Sequence, residues 1–443
     1  MSNIKQELLS KIESKELVVG VIGLGYVGLP LAVEKANVGY KVIGFDVLPE
    51  KVKLVNEGHN YIGDVVDEEL AELVSKGRLR ATDNFEEVAS CDFIAIAVPT
   101  PLDEYQQPDI SYVEKSTKDV AKHLKKGSIV VLESTTYPGT TEELMLPLLE
   151  EGSGLKCGED FYLAFSPERV DPGNKIYKTK NTPKVVGGVG EDSTEVAAAL
   201  YRNVLEGEVY TVSSPKIAEM EKILENTYRN VNIGLINEFA LIANKMGINI
   251  WEVVDAAKTK PYGFQAFYPG PGIGGHCIPL DPFYLTWKAK EYDSHMRIIE
   301  ASGSVNDFMP EWVVDRSMKI LSKNFKKALN GAKILILGIA YKNDIDDLRD
   351  SPALVVMDYF EAEGANLDYY DGYNPSYKAK NGETIYSLKE ISPEIISAYD
   401  LVVITTNHSN VDYQMVADNA KYVFDTKYAT KDVKNNKDNI ELL

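Results

Sequence analysis

Residues 17–28 read Leu-Val-Val-Gly-Val-Ile-Gly-Leu-Gly-Tyr-Val-Gly, an apolar run that leads directly into a Gly-x-Gly-x-x-Gly turn. The apolar, β-branched part predicts a buried strand, and residues 29–36 predict a helix. Glycines between a strand and a helix permit a tight turn and close approach of a pyrophosphate, which rests on the helix N-terminus. The residues of this predicted dinucleotide site are Gly23, Gly25, Tyr26, Val27 and Gly28.

The next predicted strand identifies the dinucleotide. Residues 39–45 lead to Asp46, which lies 18 residues after Gly28. A carboxylate there accepts hydrogen bonds from a ribose diol and repels a 2′-phosphate, so NAD is favoured over NADP. The alternative is a glycine-rich turn without a ligand. The strand, turn, helix and acid together favour the dinucleotide site.

Two further predicted strands, residues 92–98 and 128–133, are followed by Thr100 and Thr135. Ligands bind outside the carboxyl ends of strands in open α/β sheets, so both threonines are predicted to face the cofactor. Each could instead cap the segment that follows it.

A strand over residues 161–165 leads into Ser-Pro-Glu-Arg-Val, which contains Glu168, Arg169 and Val170. The guanidinium of Arg169 offers a planar fork for phosphate or carboxylate. Glu168 could hold or activate a water. The alternative is a surface ion pair of little energetic value.

A long helix is predicted from Pro215, with Ser214 as its N-cap, to the residue before Gly247. Its apolar stripe recurs in steps of three and four and consists of Ile217, Met220, Leu224, Tyr228, Val231 and Leu235. The opposite side carries Lys222, Asn226 and Arg229. These three form either a solvated polar face or a binding face for an anionic ligand. The helix is predicted to join two domains and to carry dimer contacts.

A cysteine loop follows at residues 270–282, which read Gly-Pro-Gly-Ile-Gly-Gly-His-Cys-Ile-Pro-Leu-Asp-Pro. Cys277 on such a rigid turn is placed for nucleophilic work, because a thiolate is intrinsically very nucleophilic. The alternative is a small buried hydrophobe in a Gly/Pro-rich loop. The aromatic stretch 260–269 either forms a wall of a substrate pocket or covers the core.

The C-terminal third begins a second unit of alternating strands and helices, which indicates another parallel sheet. Its predicted strands cover residues 332–338, 366–371, 401–406 and 421–425. Lys342 and Arg349 flank a strand tip and could bind phosphates. The alternative is a pair of exposed cations near the acidic residues 344, 346 and 347.

Composition excludes several functional classes. A chain of 443 residues is too long for one core, and two or three domains are expected. A net charge of −20 argues against nucleic-acid binding. No apolar run is long enough to span a bilayer, so no membrane association is predicted. Three distant cysteines without metal-ligand spacing, and an N-terminal stretch without an apolar signal segment, favour reduced thiols in the cytoplasm and no metal site.

Together these motifs resemble the UDP-glucose/UDP-mannuronate dehydrogenase superfamily, the UDP-sugar 6-dehydrogenases, over nearly the whole chain. The resemblance rests on the Gly-x-Gly-x-x-Gly turn with Asp46, Pro-Thr-Pro at 99–101, Ser-Thr-Thr at 134–136, Pro-Glu-Arg-Val at 167–170, Lys222 with Asn226, the Gly-Gly-His-Cys-Ile-Pro-Leu-Asp run at 274–281, and Lys342 with Arg349. It implies an α/β fold of two Rossmann-like doubly wound parallel sheets joined by a long central helix. The implied domains are an NAD-binding domain at 1–212, a central helical domain at 213–315 and a UDP-sugar-binding domain at 316–443.

The resemblance also implies a double oxidation. The 6-hydroxyl of a UDP-hexose becomes an aldehyde, Cys277 attacks it to form a thiohemiacetal, a second NAD oxidises that to a thioester, and water releases the carboxylate. The implied catalytic residues are Cys277, Lys222, Asp281, Asn226, Glu168 and Thr135. The implied NAD contacts are the glycine turn with Asp46, Lys51, Thr100, Thr135 and Arg349. The implied substrate contacts are Arg169, Val170, Lys222, Asn226, Arg229, Phe267, Tyr268, Gly274 and Lys342.

The cysteine loop departs from the glucose-type members, which carry Ser before the cysteine and Lys before the aspartate. His276 and Leu280 stand there instead. The loop looks like that of the branch acting on UDP-N-acetylglucosamine for surface polysaccharides, while the N-acetylmannosamine and N-acetylgalactosamine branches share Gly-Gly-His-Cys. Members are at least homodimers. Two rivals remain: a one-step β-hydroxyacid dehydrogenase, which needs no cysteine, and a non-catalytic nucleotide-binding protein, against which Lys222, Cys277 and Asp281 speak.

Overall fold

The computed structural model describes residues 3–63, 65–103, 105–171, 174, 176–435 and 437–443. Met1 and Ser2, with which the predicted signal-free N-terminal stretch begins, lie outside the described residues. The chain forms two compact units, Met1–Glu225 with Phe283–Ser294, and Asn226–Pro282 with His295–Leu443. The three-domain division at 212 and 315 stays a prediction.

The first unit contains an eight-stranded sheet with the order β3-β2-β1-β4-β5-β6-β7-β8. Its first six strands have the 3-2-1-4-5-6 order of a dinucleotide-binding sheet. The strands are β1 (Val18–Ile22), β2 (Lys41–Phe45), β3 (Leu79–Thr82), β4 (Phe93–Ile96), β5 (Ser128–Leu132), β6 (Phe161–Phe165), β7 (Lys184–Gly188) and β8 (Val209–Val212). All neighbours are parallel except β6 and β7, which are antiparallel.

The antiparallel pair β6–β7 interrupts a sheet that is otherwise parallel. Parallel neighbours need a long crossover connection, usually a helix. The described residues between β6 and β7 contain no helix, so the chain returns antiparallel. The segment containing Glu168 and Arg169 lies in this connection.

Helices cover both faces of the first sheet. They are α1 (Asn3–Ser14), α2 (Gly28–Asn37), α3 (Pro49–Asn56), α4 (Asp67–Ser75), α5 (Ser111–His123), α6 (Leu146–Ser153), which continues a π-helical turn at Thr140–Met145, and α7 (Glu191–Val204). Two short 3₁₀ segments lie at Phe85–Ser90 and Lys290–Tyr292. Strand β4 shows why the sheet is doubly wound. Its alternate residues Phe93 and Ala95 enter one buried cluster, whereas Ile94 and Ile96 enter another on the opposite face.

The long central helix, α8 (Pro215–Met246), has 32 residues and is followed by Gly247 at φ +71°, so both predicted ends are confirmed. Its division between the units falls after Glu225. The predicted apolar stripe faces outward: Ile217, Met220, Leu224, Tyr228 and Leu235 are 42–65% exposed, and Val231 is half-buried. Lys222 and Asn226 on the other side are buried. The helix therefore does not have a solvated polar face at these two residues.

The second unit contains a five-stranded sheet with the order β10-β9-β13-β14-β15, all parallel. This is the 2-1-3-4-5 order, the other common doubly wound arrangement. The strands are β9 (Lys333–Leu337), β10 (Asn366–Tyr370), β13 (Leu401–Ile404), β14 (Val423–Asp425) and β15 (Ile440–Leu442), with a separate hairpin of β11 (Ser376–Lys378) and β12 (Thr384–Tyr386). The predicted second α/β unit is confirmed.

The remaining helices are α9 (Ile250–Ala257), α10 (Asp281–Ala289), α11 (Arg297–Phe325), α12 (Pro352–Ala362), α13 (Pro393–Ser397) and α14 (Tyr413–Asn419), with a 3₁₀ turn at Lys437–Asn439. The core of the second unit includes Ala240 and Ala243 of α8, which pack with residues of α9, α11, α12 and the sheet. In the part of the chain that the structure describes, no helix is long and apolar enough to cross a membrane.

Candidate functional site

The glycine turn after β1 has three glycines with different surroundings. A Cβ on Gly23, which has φ +87°, would lie 2.5 Å from the Ala97 carbonyl oxygen, and one on Gly28 would lie 1.8 Å from the Gly23 carbonyl oxygen. A Cβ on Gly25 would meet nothing within 4 Å. The outer glycines thus serve the turn and the packing of α2, while the middle one leaves open space where a pyrophosphate can approach the backbone. This cradle fits NAD.

Asp46 lies directly after β2, beside this turn. Its carboxylate accepts hydrogen bonds from the backbone N–H groups of Leu24 and Leu48 at 2.9 and 3.0 Å. The Lys51 ammonium is 3.7 Å from Asp46 Oδ2. The carboxylate is therefore fixed at the strand tip, where a ribose diol would meet it.

Thr100 and Thr135 lie at the neighbouring tips of β4 and β5. The Thr100 hydroxyl donates to the Thr135 carbonyl at 2.8 Å. Tyr284 of α10 donates its hydroxyl to the Thr100 carbonyl. Thr100 thus connects two strand ends, and none of its described hydrogen bonds caps a helix.

Lys222 and Glu168 meet through the backbone. The Lys222 ammonium donates to the Glu168 carbonyl oxygen at 2.7 Å. The Glu168 carboxylate points elsewhere: Oε1 accepts the N–H groups of Arg169 and Val170 at 2.8 and 3.0 Å, and Oε2 is 3.3 Å from Lys184. The Glu168 side chain thus fixes the backbone of residues 167–170, and the Glu168 carbonyl oxygen orients Lys222.

A chain of buried charges continues from Glu168 into the core. Lys184 is 3.2 Å from Glu133, and Glu133 is 3.3 Å from Lys35. The Tyr201 hydroxyl donates to Glu133 at 2.8 Å. Burial opposes ionisation of Glu133, but the neighbouring Lys184 and Lys35 outweigh it and lower its pKa. Burial also opposes the charge on Lys184, but Glu133 and Glu168 outweigh it and raise its pKa.

Arg169 is held by two glutamates of α8. Its guanidinium pairs with Glu225 and lies 3.2 Å from Glu221, and it also donates to the Pro183 carbonyl at 3.1 Å. Burial, together with the hydrogen bond to Glu225, raises the pKa of Glu221 to about 7. Burial opposes ionisation of Glu225, but Arg169 and Glu221 outweigh it and lower its pKa. The charge at Glu221 therefore changes near neutral pH.

The cysteine loop belongs to the second unit. Cys277 is exposed, whereas Cys157 is half-buried and Cys91 is buried, and none of the three is in a disulfide. The Cys277 carbonyl accepts the N–H groups of Leu280 and Asp281 at 3.2 and 2.9 Å, which closes a turn that begins at the cysteine. An exposed thiol on a hydrogen-bonded turn fits a nucleophile better than a packed hydrophobe.

Glycines let this loop lie against its neighbours. A Cβ on Gly274 would lie 2.6 Å from Tyr341 Cβ and 2.8 Å from the Asp350 carbonyl. The Gly275 N–H donates to the Arg349 carbonyl at 3.1 Å. The Gly-Gly pair before the cysteine is thus required for close contact with the segment 341–350.

Asp281 and Asn226 form a buried pair, with Asn226 Nδ2 donating to Asp281 Oδ2 at 2.6 Å. Asn226 lies one helical turn after Lys222 on α8. Two of the predicted catalytic residues are therefore in direct contact within the second unit.

Arg349 is held by Asp347 through both carboxylate oxygens, with Nε at 3.0 Å from each and Nη2 at 2.6 Å from Oδ2. Lys342 is half-buried on the same segment. Burial, and then the nearby Arg349 charge, lower the pKa of His276. The imidazole beside Cys277 is therefore held toward its neutral form.

Three further predicted substrate residues lie at the surface or pack on aromatic side chains. Arg229 is exposed, Phe267 packs edge-to-face on Tyr228, and Tyr268 stacks on Trp251. The Tyr268 hydroxyl also donates to Asp255 at 2.8 Å. The aromatic loop therefore packs on α8 and α9 of its own unit.

The structure groups the predicted residues in two sets. The first unit brings together Lys222, Glu168, Arg169 and Val170, and separately joins Thr100 to Thr135. The second unit brings together Cys277, Asp281, Asn226, Gly274 and Arg349. Arg229, Phe267 and Tyr268 have no described hydrogen bond to either set.

Sequence reasoning missed several buried polar groups. Lys35, Glu133 and Lys184 lie at strand ends or on a helix, where charges are ordinarily solvent-exposed, so no local signal marked them. Lys427 follows β14, lies against Gly270 of the cysteine loop, and burial lowers its pKa to about 8. Its position after a strand of a doubly wound sheet was the available signal.

The second sheet repeats the acid at the strand tip. Asp371 follows β10 and accepts the N–H of Ile339, just after β9, at 2.7 Å, as Asp46 does for Leu24 after β1. His408 Nε2 lies 3.0 Å from Asp371, and its Nδ1 accepts the N–H of Asp344 at 3.0 Å. Hydrogen bonds of Asp371 and His408 thus hold the carboxyl edge of the second sheet in place.

Three sequence models of one family match the chain in succession. They describe the NAD binding domain, the central domain and the UDP binding domain of the UDP-glucose/GDP-mannose dehydrogenase family and match residues 17–205, 216–308 and 335–432. The chain belongs to this family. Each of the three matched ranges contains candidate site residues.

Relatives of the chain align with it over most of the length of both proteins. The chain is 37% identical over 424 residues to a UDP-N-acetyl-D-glucosamine 6-dehydrogenase of Pseudomonas aeruginosa, covering 95% of this chain and 97% of that one. It is 36% identical to a UDP-N-acetyl-D-mannosamine dehydrogenase of Pyrococcus horikoshii, covering 88% and 89%. The solved structure of a UDP-D-ManNAc dehydrogenase from Pyrococcus horikoshii has a TM-score of 0.84 at 34% identity, covering 93% and 96%.

The protein is therefore an NAD-dependent UDP-sugar dehydrogenase, an oxidoreductase. The predicted fold class, enzyme class and cofactor are confirmed. The roles of the individual site residues stay predictions.

Proposed function

We propose that this dehydrogenase oxidises the C6 hydroxyl of a UDP-N-acetylhexosamine to the uronate, using two NAD per sugar, to supply a precursor of surface polysaccharide. The single observation that carries the proposal is the exposed Cys277 on a glycine-rich, hydrogen-bonded turn. A one-step dehydrogenase has no use for such a thiol. UDP-N-acetyl-D-glucosamine is the preferred substrate; the N-acetylmannosamine, N-acetylgalactosamine and glucose analogues are the alternatives.

The sulfur of Cys277 provides the covalent steps. Its thiolate adds to the C6 aldehyde and forms a carbon–sulfur bond, which gives a thiohemiacetal. Removal of a second hydride converts this to a thioester. Water then adds at the carbonyl carbon, the carbon–sulfur bond breaks, and the thiolate is regenerated as the carboxylate leaves.

Charged and polar side chains support these steps. The Lys222 ammonium stabilises the negative charge that develops on the reacting oxygen. The Asn226–Asp281 pair, hydrogen-bonded at 2.6 Å, orients water and the reacting oxygens with Thr135. Glu168 assists thioester hydrolysis, and its carbonyl contact to Lys222 supports a part in aligning that lysine.

The glycine turn and Asp46 would hold NAD, with Lys51, Thr100, Thr135 and Arg349 as further contacts. Bound NAD supplies the hydride acceptor for each oxidation. The open space at Gly25 is the structural feature that favours this placement.

Basic residues would hold the UDP-sugar in an otherwise acidic protein. Lys342 and Lys427 belong to the segments after β9 and β14, at the carboxyl edge of the second sheet, where a diphosphate would bind. Arg169 and Arg229 are the further candidates for anionic groups, and Val170, Phe267, Tyr268 and Gly274 for the sugar and base. The cytoplasmic location stays a prediction.

The test is NADH release with a panel of UDP-hexoses and UDP-N-acetylhexosamines, counting NADH per sugar. Two NADH per UDP-N-acetylglucosamine, and loss of uronate formation in Cys277→Ser but not in the matched Cys157→Ser, are expected. Peptide mass spectrometry of the quenched, digested parent enzyme should show an adduct with the mass of the UDP-sugar on the Cys277 peptide. Native uronate formation by Cys277→Ser would refute the assignment, and one NADH per sugar would favour a one-step enzyme.

We also propose that the chain forms a homodimer or a higher homo-oligomer through α8. The exposed apolar stripe of that helix is the support, since contiguous apolar patches on soluble proteins mark interfaces. Sedimentation of Leu235→Glu should show dissociation relative to the parent, whereas Lys245→Glu, an exposed charge on the same helix, should not. A monomeric parent would contradict this proposal.

A further inference from the structure

A column of three asparagines lies on one side of α8. Asn226, Asn230 and Asn237 follow each other at steps of four and seven residues, which places them on one face of a helix. They are only 3%, 2% and 0% exposed. A buried amide is costly unless its donors and acceptor are satisfied, so three in one column need a common explanation.

All three side chains hydrogen-bond to the loop that carries Cys277. Asn237 Oδ1 accepts the Gly270 N–H at 3.0 Å, where the loop begins. Asn230 Nδ2 donates to the Ile278 carbonyl at 3.0 Å, one residue after the cysteine. Asn226 Nδ2 donates to Asp281 at 2.6 Å, where the loop ends. One helix face thus fixes the loop at its start, beside its sulfur and at its end.

Side chains of α11 determine which end of each amide faces the loop. Ser302 donates its hydroxyl to Asn230 Oδ1 at 2.8 Å, so that Nδ2 is the atom left to face the Ile278 carbonyl. Asn237 Nδ2 donates to Asn306 Oδ1 at 2.9 Å, which leaves its Oδ1 for the Gly270 N–H. Asn306 Nδ2 in turn donates to the Asn230 carbonyl at 3.2 Å. The network therefore defines one orientation for the Asn230 amide and one for the Asn237 amide.

We infer that Asn230 and Asn237 are positioning residues for the Cys277 nucleophile, an inference that rests on the proposed function. Cys277 is exposed, and the position of its sulfur follows the backbone of the loop that carries it. The two amides hold that backbone on a rigid helix. Displacement of a reacting atom by about 1 Å can cost about a hundredfold in rate, which is the reason for such support.

The same helix supplies a matched control. Asn232 lies between the two positions, but its Nδ2 donates to the Tyr228 carbonyl of its own helix at 2.7 Å. Asn232→Ala therefore removes an asparagine from α8 without removing a described contact to the loop.

The experiment compares Asn230→Ala, Asn237→Ala and Asn232→Ala in the full-length enzyme with three readouts. Hydrogen exchange is measured on peptides covering residues 268–282 and on the rest of the chain. Iodoacetamide alkylation is followed on the Cys277 peptide, with Cys157 as the internal reference. Steady-state kinetics separate kcat from the KM for NAD.

For Asn230→Ala and Asn237→Ala we expect exchange of the loop peptides to rise about tenfold while other peptides are unchanged. The Cys277 alkylation rate should change by about threefold or more, because its surroundings become mobile. We expect kcat to fall about tenfold to a hundredfold with the KM for NAD unchanged. Asn232→Ala should match the parent in all three. Parent-like exchange, alkylation and kcat in either loop variant would overturn the inference.

If the alanine variants do not fold, Asn237→Asp and Asn230→Asp decide. Asn237→Asp keeps the oxygen that accepts the Gly270 N–H, so loop exchange should stay within about threefold of the parent. Asn230→Asp places an oxygen against the Ile278 carbonyl, so loop exchange should rise at least about tenfold. The reverse order would overturn the inference. Exchange and alkylation need no UDP-sugar, so failure of the positioning role is distinguishable from failure of the proposed function.

Discussion

Lys184 connects the interior of the first unit to the segment that orients Lys222, and its removal is the most informative perturbation. The ammonium lies 3.2 Å from Glu133 and 3.3 Å from Glu168, and it donates to the Pro167 carbonyl at 3.2 Å. In Lys184→Met the aliphatic volume is nearly retained, while both carboxylates lose this cation. Glu133 keeps only Lys35 as a cationic partner among the described residues.

The size of the effect follows from these distances. At an effective dielectric constant of about 20, each carboxylate–ammonium pair at this separation is worth about 5 kcal/mol. The desolvation of the lysine, which no longer has to be buried, returns several kcal/mol of this. Breaking a buried pair from one side costs about 3–5 kcal/mol on balance, and we expect a loss of that size in the unfolding free energy of the first unit.

The assay is urea-dependent hydrogen exchange on peptides covering β5 and β7, which reports the opening free energy of this unit. Lys180→Met is the control, because Lys180 pairs with Glu206 at the surface and should change the free energy by less than about 1 kcal/mol. With loss of the Pro167 and Glu168 anchors, kcat should fall as well. If the opening free energy of Lys184→Met lies within about 1 kcal/mol of that of the parent at pH 7, this account of the charge chain is wrong.

The pH dependence provides a second check. The pKa of Glu133 is lowered in the folded protein, so its ionisation contributes stability above its unfolded-state pKa, and that stability is lost as pH falls through the folded pKa. In Lys184→Met, burial is opposed by one lysine fewer and the Glu133 pKa should rise. The stability deficit of Lys184→Met is therefore expected to shrink toward acid pH; a deficit that grows there would contradict this reasoning.

Three other perturbations test separate parts of the site. In the parent, the KM for UDP-sugar should rise between about pH 6 and pH 8, because Glu221, whose pKa is raised to about 7, gains a negative charge beside Arg169. Glu221→Gln should remove this pH dependence, and parallel KM profiles of parent and variant would contradict the prediction. Lys427→Met should stabilise the protein below about pH 8, where the buried ammonium is charged, while raising the KM for UDP-sugar; an unchanged KM would exclude Lys427 from the site. Gly25→Val should leave the melting temperature unchanged, since its Cβ enters open space, but it should weaken NAD binding at least about tenfold. Gly28→Ala should instead lower the melting temperature. Calorimetry measures the first property and NAD titration the second.

The amino-acid sequence alone determined the local features of this protein. The apolar run before Gly23 and the acid after the next strand specify a dinucleotide-binding unit within about 30 residues, because the chemistry of that turn is set by its own glycines. Pro215 and Gly247 mark the two ends of α8 correctly. Proline is tolerated in the first turn of a helix but not in its interior, and Gly247 adopts φ +71°, which does not continue the helix. The position of Cys277 in a glycine-rich turn was equally visible.

Only the tertiary structure decided which side chains are buried and what they hold. The charge chain joins Lys35, Glu133, Lys184 and Glu168 across 98, 51 and 16 residues of sequence, a separation over which local patterns carry no information. The apolar stripe of α8 would ordinarily indicate the buried side, yet Lys222 and the asparagine column are buried instead. The physical reason is that burial depends on which partners the fold brings to each face: carboxylates, carbonyls and amides satisfy the polar face within the chain, which leaves the apolar face outward.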